Sequence, residues 1–344
     1  MGSEGAHAKA AIARIDETRH GAPAWMRPLL RLLSPGGSRG KLTTLIFHRV
    51  HAEPDALFPN EMHAGAFRER LRWIRAWFEV LPLEEAVAAL ARGTLPERAL
   101  AITFDDGYAD NFAVALPILR EHGLQATFFV ATGFLDGGRM WNDTVIEALR
   151  RTSRPSLDLS SLDLGVHALG SVDARRTAID AILGKLKYLS PPMRRERVDA
   201  VASFAGARLP EDLMMTSAQV RGLAAAGMGI GGHTVMHPIL TRIDASSARR
   251  DIADGRDTLE AITGQPVRVF AYPNGKPVGD YAAEHVGIVR ELGFTAAVST
   301  SPGAARAGDS LFELPRFTPW DASAGRWGLR LARNLLTQPV RAAA

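Results

Sequence analysis

The chain of 344 residues contains no cysteine, which rules out disulfides, thiolate metal sites and cysteine nucleophiles. Any metal must be held by histidine and carboxylate. Long apolar runs are missing as well. No stretch approaches the ~20 residues of a membrane span, and residues 1–41 carry no apolar core of a secretory signal, so a cytoplasmic protein is expected. There is no basic stripe interleaved with aromatics: 41 Lys and Arg stand against 37 Asp and Glu, a net charge of +4. Nucleic acid is therefore not an expected partner, although an anionic glycan or membrane surface stays open. Internal repeats and low-complexity tracts are also lacking, and nothing calls for an obligate protein partner.

What is present is an ordinary globular composition, 46% hydrophobic and 23% charged, with length for two domains or one large α/β barrel. Residues 34–40 are rich in Pro, Gly and Ser and read as a linker, so 1–40 form an N-terminal extension and the folded domain begins near 41. Short apolar runs at 42–47, 100–104, 126–130, 228–231, 267–272 and 295–299 read as buried strands. Amphipathic spacing predicts helices at 111–122, 218–226, 246–263 and 281–292. Strand and helix alternate, which argues a parallel sheet, and the number of units favours a closed or nearly closed barrel. The alternation breaks over about 136–216, where helical segments with Pro and Ser runs read as an insertion. Insertions at the carboxyl ends of barrel strands wall substrate clefts. Trp141 and Asn142 are thus candidate substrate contacts, with anchoring of the insertion as the plainer role for Trp141. The barrel would run over 41–320, leaving 321–344 as a C-terminal tail. The stretch 24–33 mixes Trp25 and leucines with Arg27 and Arg31 and could make a peripheral membrane contact. Packing against the domain is expected first, because the stretch is short and contains Pro28.

Chemistry concentrates in two motifs, Thr103-Phe104-Asp105-Asp106-Gly107 and His233-Thr234-Val235-Met236-His237-Pro238. Successive strand residues face opposite sides, so Asp105 and Asp106 can serve one site only where the strand has just ended. Gly107 marks such a turn. One carboxylate can then bind a metal while its neighbour acts as a base. His233 and His237 are four apart and follow the glycine-rich strand end Gly229-Ile230-Gly231-Gly232. With Pro238 turning His237 away from helix, this reads as a loop that presents two imidazoles. Two histidines and one carboxylate also describe a non-haem iron triad, against which stand the second aspartate and the α/β alternation.

In the order of these motifs the chain resembles the polysaccharide deacetylases, the NodB-like carbohydrate esterase family 4, from about 42 to 320. The resemblance implies an α/β fold, a distorted (β/α)7 barrel with a helical insertion after an early strand. It implies Asp106, His233 and His237 as ligands of a divalent metal, Zn2+ foremost with Co2+, Ni2+ or Mn2+ as alternatives, and Asp105 as general base. The implied reaction is metal-dependent removal of N-acetyl groups from an N-acetylhexosamine in a glycan, oligosaccharide or lipid-linked precursor. Many members draw the general acid from a Leu-x-His strand near the C-terminus, and no such strand follows residue 300. Leu45-Ile46-Phe47-His48 lies in the first strand instead, resembling the circularly permuted members that act on exopolysaccharides. First and last strands of a barrel are neighbours, so His48 is the expected acid, with His51 as a substitute.

The family's third motif usually carries an arginine that orients the base, where Phe270-Ala271-Tyr272-Pro273 has Ala271. Arg316 is the candidate replacement. Trp320 is a candidate wall of the acetyl pocket and Tyr272 of the cleft, each with packing as its plainer role. The departures at Ala271 and at the C-terminus also admit a carbohydrate-binding homologue with weak or no catalysis. The same site chemistry would serve removal of an O-acetyl or formyl group.

Overall fold

The computed structural model describes residues 21–343. Helix α1 (Met26–Leu33) precedes β1 (Lys41–Phe47); α2 (Ala64–Trp77), β2 (Glu79–Val80) and α3 (Leu83–Arg92) lead to β3 (Ala99–Phe104), and α4 (Leu116–Glu121) leads to β4 (Thr127–Val130). An insertion follows: α5 (Trp141–Arg151), a hairpin of β5 (Ser156–Leu159) and β6 (Gly165–Ala168), α6 (Val172–Leu186) and α7 (Pro191–Ala205). The alternation resumes with α8 (Ser217–Ala225), β7 (Gly229–Gly232), α9 (Ala245–Thr263), β8 (Val269–Ala271), α10 (Ala283–Glu291) and β9 (Ala296–Val298), and ends in β10 (Ala305–Arg306) and α11 (Ala324–Asn334).

Six strands pair in parallel in the order β1-β3-β4-β7-β8-β9, the short β2 adds a parallel pairing on β3, and β10 lies antiparallel on the outer edge of β1. The irregular segment 311–318 closes the gap between β9 and β1. Leu314 N donates to Ala297 O, Ala297 N donates to Leu311 O and Ser299 N donates to Leu314 O, while Phe317 N donates to Thr44 O at 3.0 Å and Thr318 Oγ1 bonds Ile46. The result is the distorted (β/α) barrel expected, with an irregular seventh stave.

Alternation along the strands sorts the core into two layers. Ala101, Val269, Ala271, Ala296, Val298 and Leu314 belong to a small-residue cluster inside the curled sheet, which Phe129 fills. Ile102, Phe104, Phe270, Tyr272 and Ala297 belong to the larger cluster that packs on the outer helices. Phe47, Phe104 and Phe128 stack there and Phe67 meets Phe47 and Phe104 edge-on, with centroids 4.8–5.8 Å apart. Where β7 passes Phe129 no side chain fits: a Cβ on Gly231 would stand 2.3 Å from the ring.

The insertion has its own core, built on Leu149, Leu157, Ile179, Ile182 and Val201. Arg150 clamps it to Asp55 through two hydrogen bonds of 2.9 and 2.6 Å. Residues 321–344, expected as a tail, contribute α11, whose Trp327 and Leu331 are fully buried and whose Trp327 ring packs against Trp73 and Trp77. Helix α1 packs on α11 through buried Met26 and Leu30, leaving Trp25 and Leu32 exposed. Among the described residues no helix is long and apolar enough to cross a membrane.

Candidate metal centre and substrate cleft

The carboxyl ends of the parallel strands converge on one cleft of about 460 Å³. Pairing of Phe47 with Phe104 sets His48 beside Asp105, whose N–H donates to Phe47 O at 2.9 Å. Asp106 and Gly107 then enter the left-handed region, with φ of +76° and +90°. The turn separates the two carboxyls by direction while keeping both buried.

The loop after β7 is strained in the same way. Thr234 and His237 have φ of +67° and +49°, a conformation that a β-branched residue such as threonine rarely adopts. Three contacts hold it. Thr234 Oγ1 accepts from His237 N at 2.9 Å, Thr132 N donates to Thr234 O, and the Asp251 carboxylate of α9 accepts from Val235 N and Met236 N, both at 3.2 Å. Gly255 of α9 lies directly beneath, where a Cβ would stand 2.8 Å from the Thr234 carbonyl carbon. In a helix interior alanine normally gains about 1 kcal/mol over glycine, but here the clash is with backbone that cannot swing aside. Gly255→Ala is expected to destabilise the fold by about 1–3 kcal/mol and to weaken metal retention. Denaturant midpoint and metal content of the purified variant check this, and a more stable variant with full metal would contradict it.

The loop delivers His233 and His237 to Asp106. The Nε2 atoms stand 3.4 and 3.5 Å from Asp106 Oδ1, and the three donor atoms all lie within 4.8 Å of one another. Donors bound tetrahedrally at zinc distances stand about 3.4 Å apart, so the cluster fits a small divalent ion. His233 turns Nδ1 to the Ala271 carbonyl oxygen at 2.7 Å. That contact fixes Nδ1 as the protonated nitrogen and leaves the Nε2 lone pair facing Asp106. Burial pushes His237 down to about 4, although Asp106 opposes the shift, which favours the neutral imidazole a metal needs. Burial alone would raise Asp106, but the adjacent His233 and His237 imidazoles hold it below the usual carboxylate range.

Asp105 is gripped by Arg316 from the closing stave. Nη1 meets Oδ1 at 2.6 Å and Nη2 meets Oδ2 at 2.7 Å. Arg316 is only 1% exposed, and two more of its donors are used: Nε bonds Ser299 O at 3.0 Å and Nη1 also reaches Thr103 Oγ1 at 3.2 Å. Burial raises Asp105, and the guanidinium overcomes it, holding the carboxyl below its ordinary value.

His48 is exposed at the cleft, and the backbone around it is pinned: Asn111 Nδ2 donates to His48 O at 2.8 Å and Asp110 accepts from Val50 N at 3.1 Å. His51 is engaged with Glu61. Trp141 and Asn142, at the start of α5, line the cleft. The structure does not bring Tyr272 or Trp320 there. Tyr272 faces the outer layer, stacked on Tyr281 at 3.9 Å with its hydroxyl donating to Phe312 O, because strand alternation turns it opposite to Ala271. Trp320 is 72% exposed, with Arg330 over its ring at 4.4 Å.

Other residues at the cleft carry no motif. Tyr108 is buried with Arg49 over its ring, and its hydroxyl lies 3.3 Å from Asp143, whose carboxyl burial pushes up to about 7. Asn274, also at positive φ, lines the wall. Asp110, Asn111 and Tyr108 directly follow Asp-Asp-Gly, and that proximity is the signal that could have found them.

A sequence profile described as polysaccharide deacetylase matches residues 92–153 and 185–297, just over half of the chain. The unmatched 154–184 cover the β5–β6 hairpin and most of α6. YxkH of Bacillus subtilis (strain 168), whose name provisionally makes it a polysaccharide deacetylase, is 21% identical over 278 residues, 80% of this chain and 70% of that protein. Among solved structures, the Streptococcus pyogenes deacetylase PplD in complex with acetate aligns with a TM-score of 0.56 and 20% identity, covering 86% of this chain and 98% of that one. IcaB from Ammonifex degensii aligns with a TM-score of 0.56 and 19% identity over 88% and 99%. At such identities the structural likeness speaks to the fold.

Proposed function

The chain belongs to the polysaccharide deacetylase family, and on that footing we propose that it is a metal-dependent hydrolase removing N-acetyl groups from an N-acetylhexosamine-containing glycan, oligosaccharide or lipid-linked precursor. One observation carries the reading: Asp106, His233 and His237 cluster as metal donors beside a second buried carboxylate, Asp105, that Arg316 holds in place. A binding protein would have no need of that second carboxylate.

In this reading Asp106, His233 and His237 hold a divalent ion, Zn2+ foremost, with Co2+, Ni2+ or Mn2+ able to use the same donors. Such an ion supplies Lewis acidity toward the acetyl carbonyl and lowers the pKa of water. Asp105 takes the proton of the water as its oxygen bonds to the acetyl carbon. Arg316 keeps the Asp105 carboxylate charged and aimed. As the carbon–nitrogen bond breaks, His48 gives a proton to the leaving amine, and acetate and a free amino sugar result. Trp141 and Asn142 contact the glycan across the cleft. The barrel over 41–320 is the catalytic unit, with the insertion over about 136–216 as its wall. A cytoplasmic setting belongs to this proposal and would direct the enzyme to soluble or lipid-linked precursors.

The test is metal analysis of the purified protein together with acetate release from N-acetylglucosamine oligomers and lipid-linked N-acetylated sugars. Bound metal without release of acetate from any of them would count against the reading. His48→Ala should lower the rate by about 10²-fold with metal content intact. Loss of the metal would instead make His48 a ligand.

A further inference from the structure

The cleft contains positive charge that the proposed reaction does not use, and it sits on the insertion. Lys187, at the end of α6, and Arg194, in the first turn of α7, both line the cleft that holds the metal donors, and both are half-buried. Among the described residues neither has a carboxylate within ion-pair distance. Arg194 donates to the Lys187 carbonyl oxygen at 3.3 Å and lies 4.9 Å over the Trp141 ring. Other arginines near the cleft differ, since Arg316 holds Asp105 and Arg49 holds Asp110. Withdrawing a cation from water without a counter-charge costs free energy. For Arg194 that burial, with no carboxylate opposing it, pulls the guanidinium below its ordinary range.

The position of the pair indicates what supplies the counter-charge. Trp141 and Arg194 line both the metal cleft and an adjoining cavity of about 440 Å³. A glycan seated at the metal donors and running into that cavity must pass Arg194. The planar guanidinium fork suits a carboxylate or a phosphate, and Lys187 adds a point charge to the lining of the same cleft.

We propose that Lys187 and Arg194 form an anion-binding subsite for the glycan, so that the preferred substrate carries a uronate carboxylate or a phosphate next to the sugar that loses its acetyl group. The occupant of the cleft is taken from the deacetylase reading; the charge of that occupant is the new element.

Three probes test it in the Asp105→Asn background, where ligand is not consumed: chitotetraose, a tetrasaccharide alternating glucuronate with N-acetylglucosamine, and chitobiosyl diphosphate on a short prenyl chain. By titration calorimetry one charged probe should bind about tenfold tighter than chitotetraose. That advantage should fall to near unity in Lys187→Gln/Arg194→Gln, and also at about 0.5 M NaCl without those two substitutions, where screening acts over a few ångströms. The better charged probe distinguishes uronate from phosphate. Chitotetraose binding as tightly as both charged probes, or a charged advantage that survives the double substitution, would overturn the proposal. The salt dependence needs no change at Lys187 or Arg194, so misfolding of the double variant leaves the test standing. Acetate release by the unsubstituted protein separates the two ideas. Charge-selective binding with no acetate from any probe sinks the deacetylase reading alone, and acetate release without charge selectivity sinks the subsite alone.

Discussion

Asp105→Asn protein should keep its metal and lose about 10³-fold in deacetylation rate, with the loss in kcat rather than in KM. The substitution is nearly isosteric and removes the capacity to take a proton. Asp105 is not among the three clustered donors, and both of its oxygens face Arg316. A base acts only as the transition state forms, so its removal leaves ground-state binding in place. The amide has a cost of its own, since its NH2 would meet a guanidinium N–H donor where Asp105 offers an acceptor. About 3–5 kcal/mol of stability should be lost, because the buried Arg316 charge is left without its carboxylate. Rates are therefore compared well below the unfolding transition, and elemental analysis is run in parallel on Asp106→Asn. The expected pair of outcomes is metal retained but inactive for position 105, and metal lost for position 106. If the metal leaves with Asp105 instead, the two aspartates exchange roles and Arg316 becomes the support of a ligand.

Local features of the sequence make the two motifs and the barrel legible. Asp105-Asp106-Gly107 and His233 to His237 each occupy a few consecutive residues after an apolar run, and strand-end geometry needs no long-range information. Arg316 lies 211 residues from Asp105, on a stave with no regular period to mark it as a barrel element, so its burial cannot be read from its neighbours. Tyr272 shows a different limit. Alternation with Ala271 already places the two on opposite faces, and the small interior layer of Ala101, Ala271 and Ala296 shows that Ala271, not Tyr272, looks inward. Ala271 reads from the sequence as a gap, yet its backbone carbonyl is the acceptor that sets the His233 tautomer, and every residue type offers that group. Lys187 and Arg194 belong to no motif because the insertion folds on its own core and meets the barrel only in three dimensions.

Arg316→Met should be strongly destabilising. The pair with Asp105 is almost fully excluded from solvent, and deleting one partner of a buried ion pair leaves a charge with nothing to meet it, at a cost of about 3–5 kcal/mol. Asp105 can avoid part of that cost by taking up a proton, because burial alone raises its pKa and Arg316 is what holds it down. A protonated Asp105 cannot serve as base, so activity should fall with stability. Arg316→Lys keeps the charge but not the fork that engages both oxygens along with Ser299 O and Thr103 Oγ1, so it should recover part of the stability and little of the rate. The double variant Asp105→Asn/Arg316→Met is the decisive comparison. With the buried charge gone from both sides it should be more stable than Arg316→Met alone by denaturant midpoint while remaining inactive. That recovery would assign most of the single-variant loss to an uncompensated carboxylate rather than to missing contacts. Additive losses in the double variant would mean that Arg316 stabilises the stave at 311–318 through its bonds to Ser299 and Thr103, with Asp105 merely adjacent.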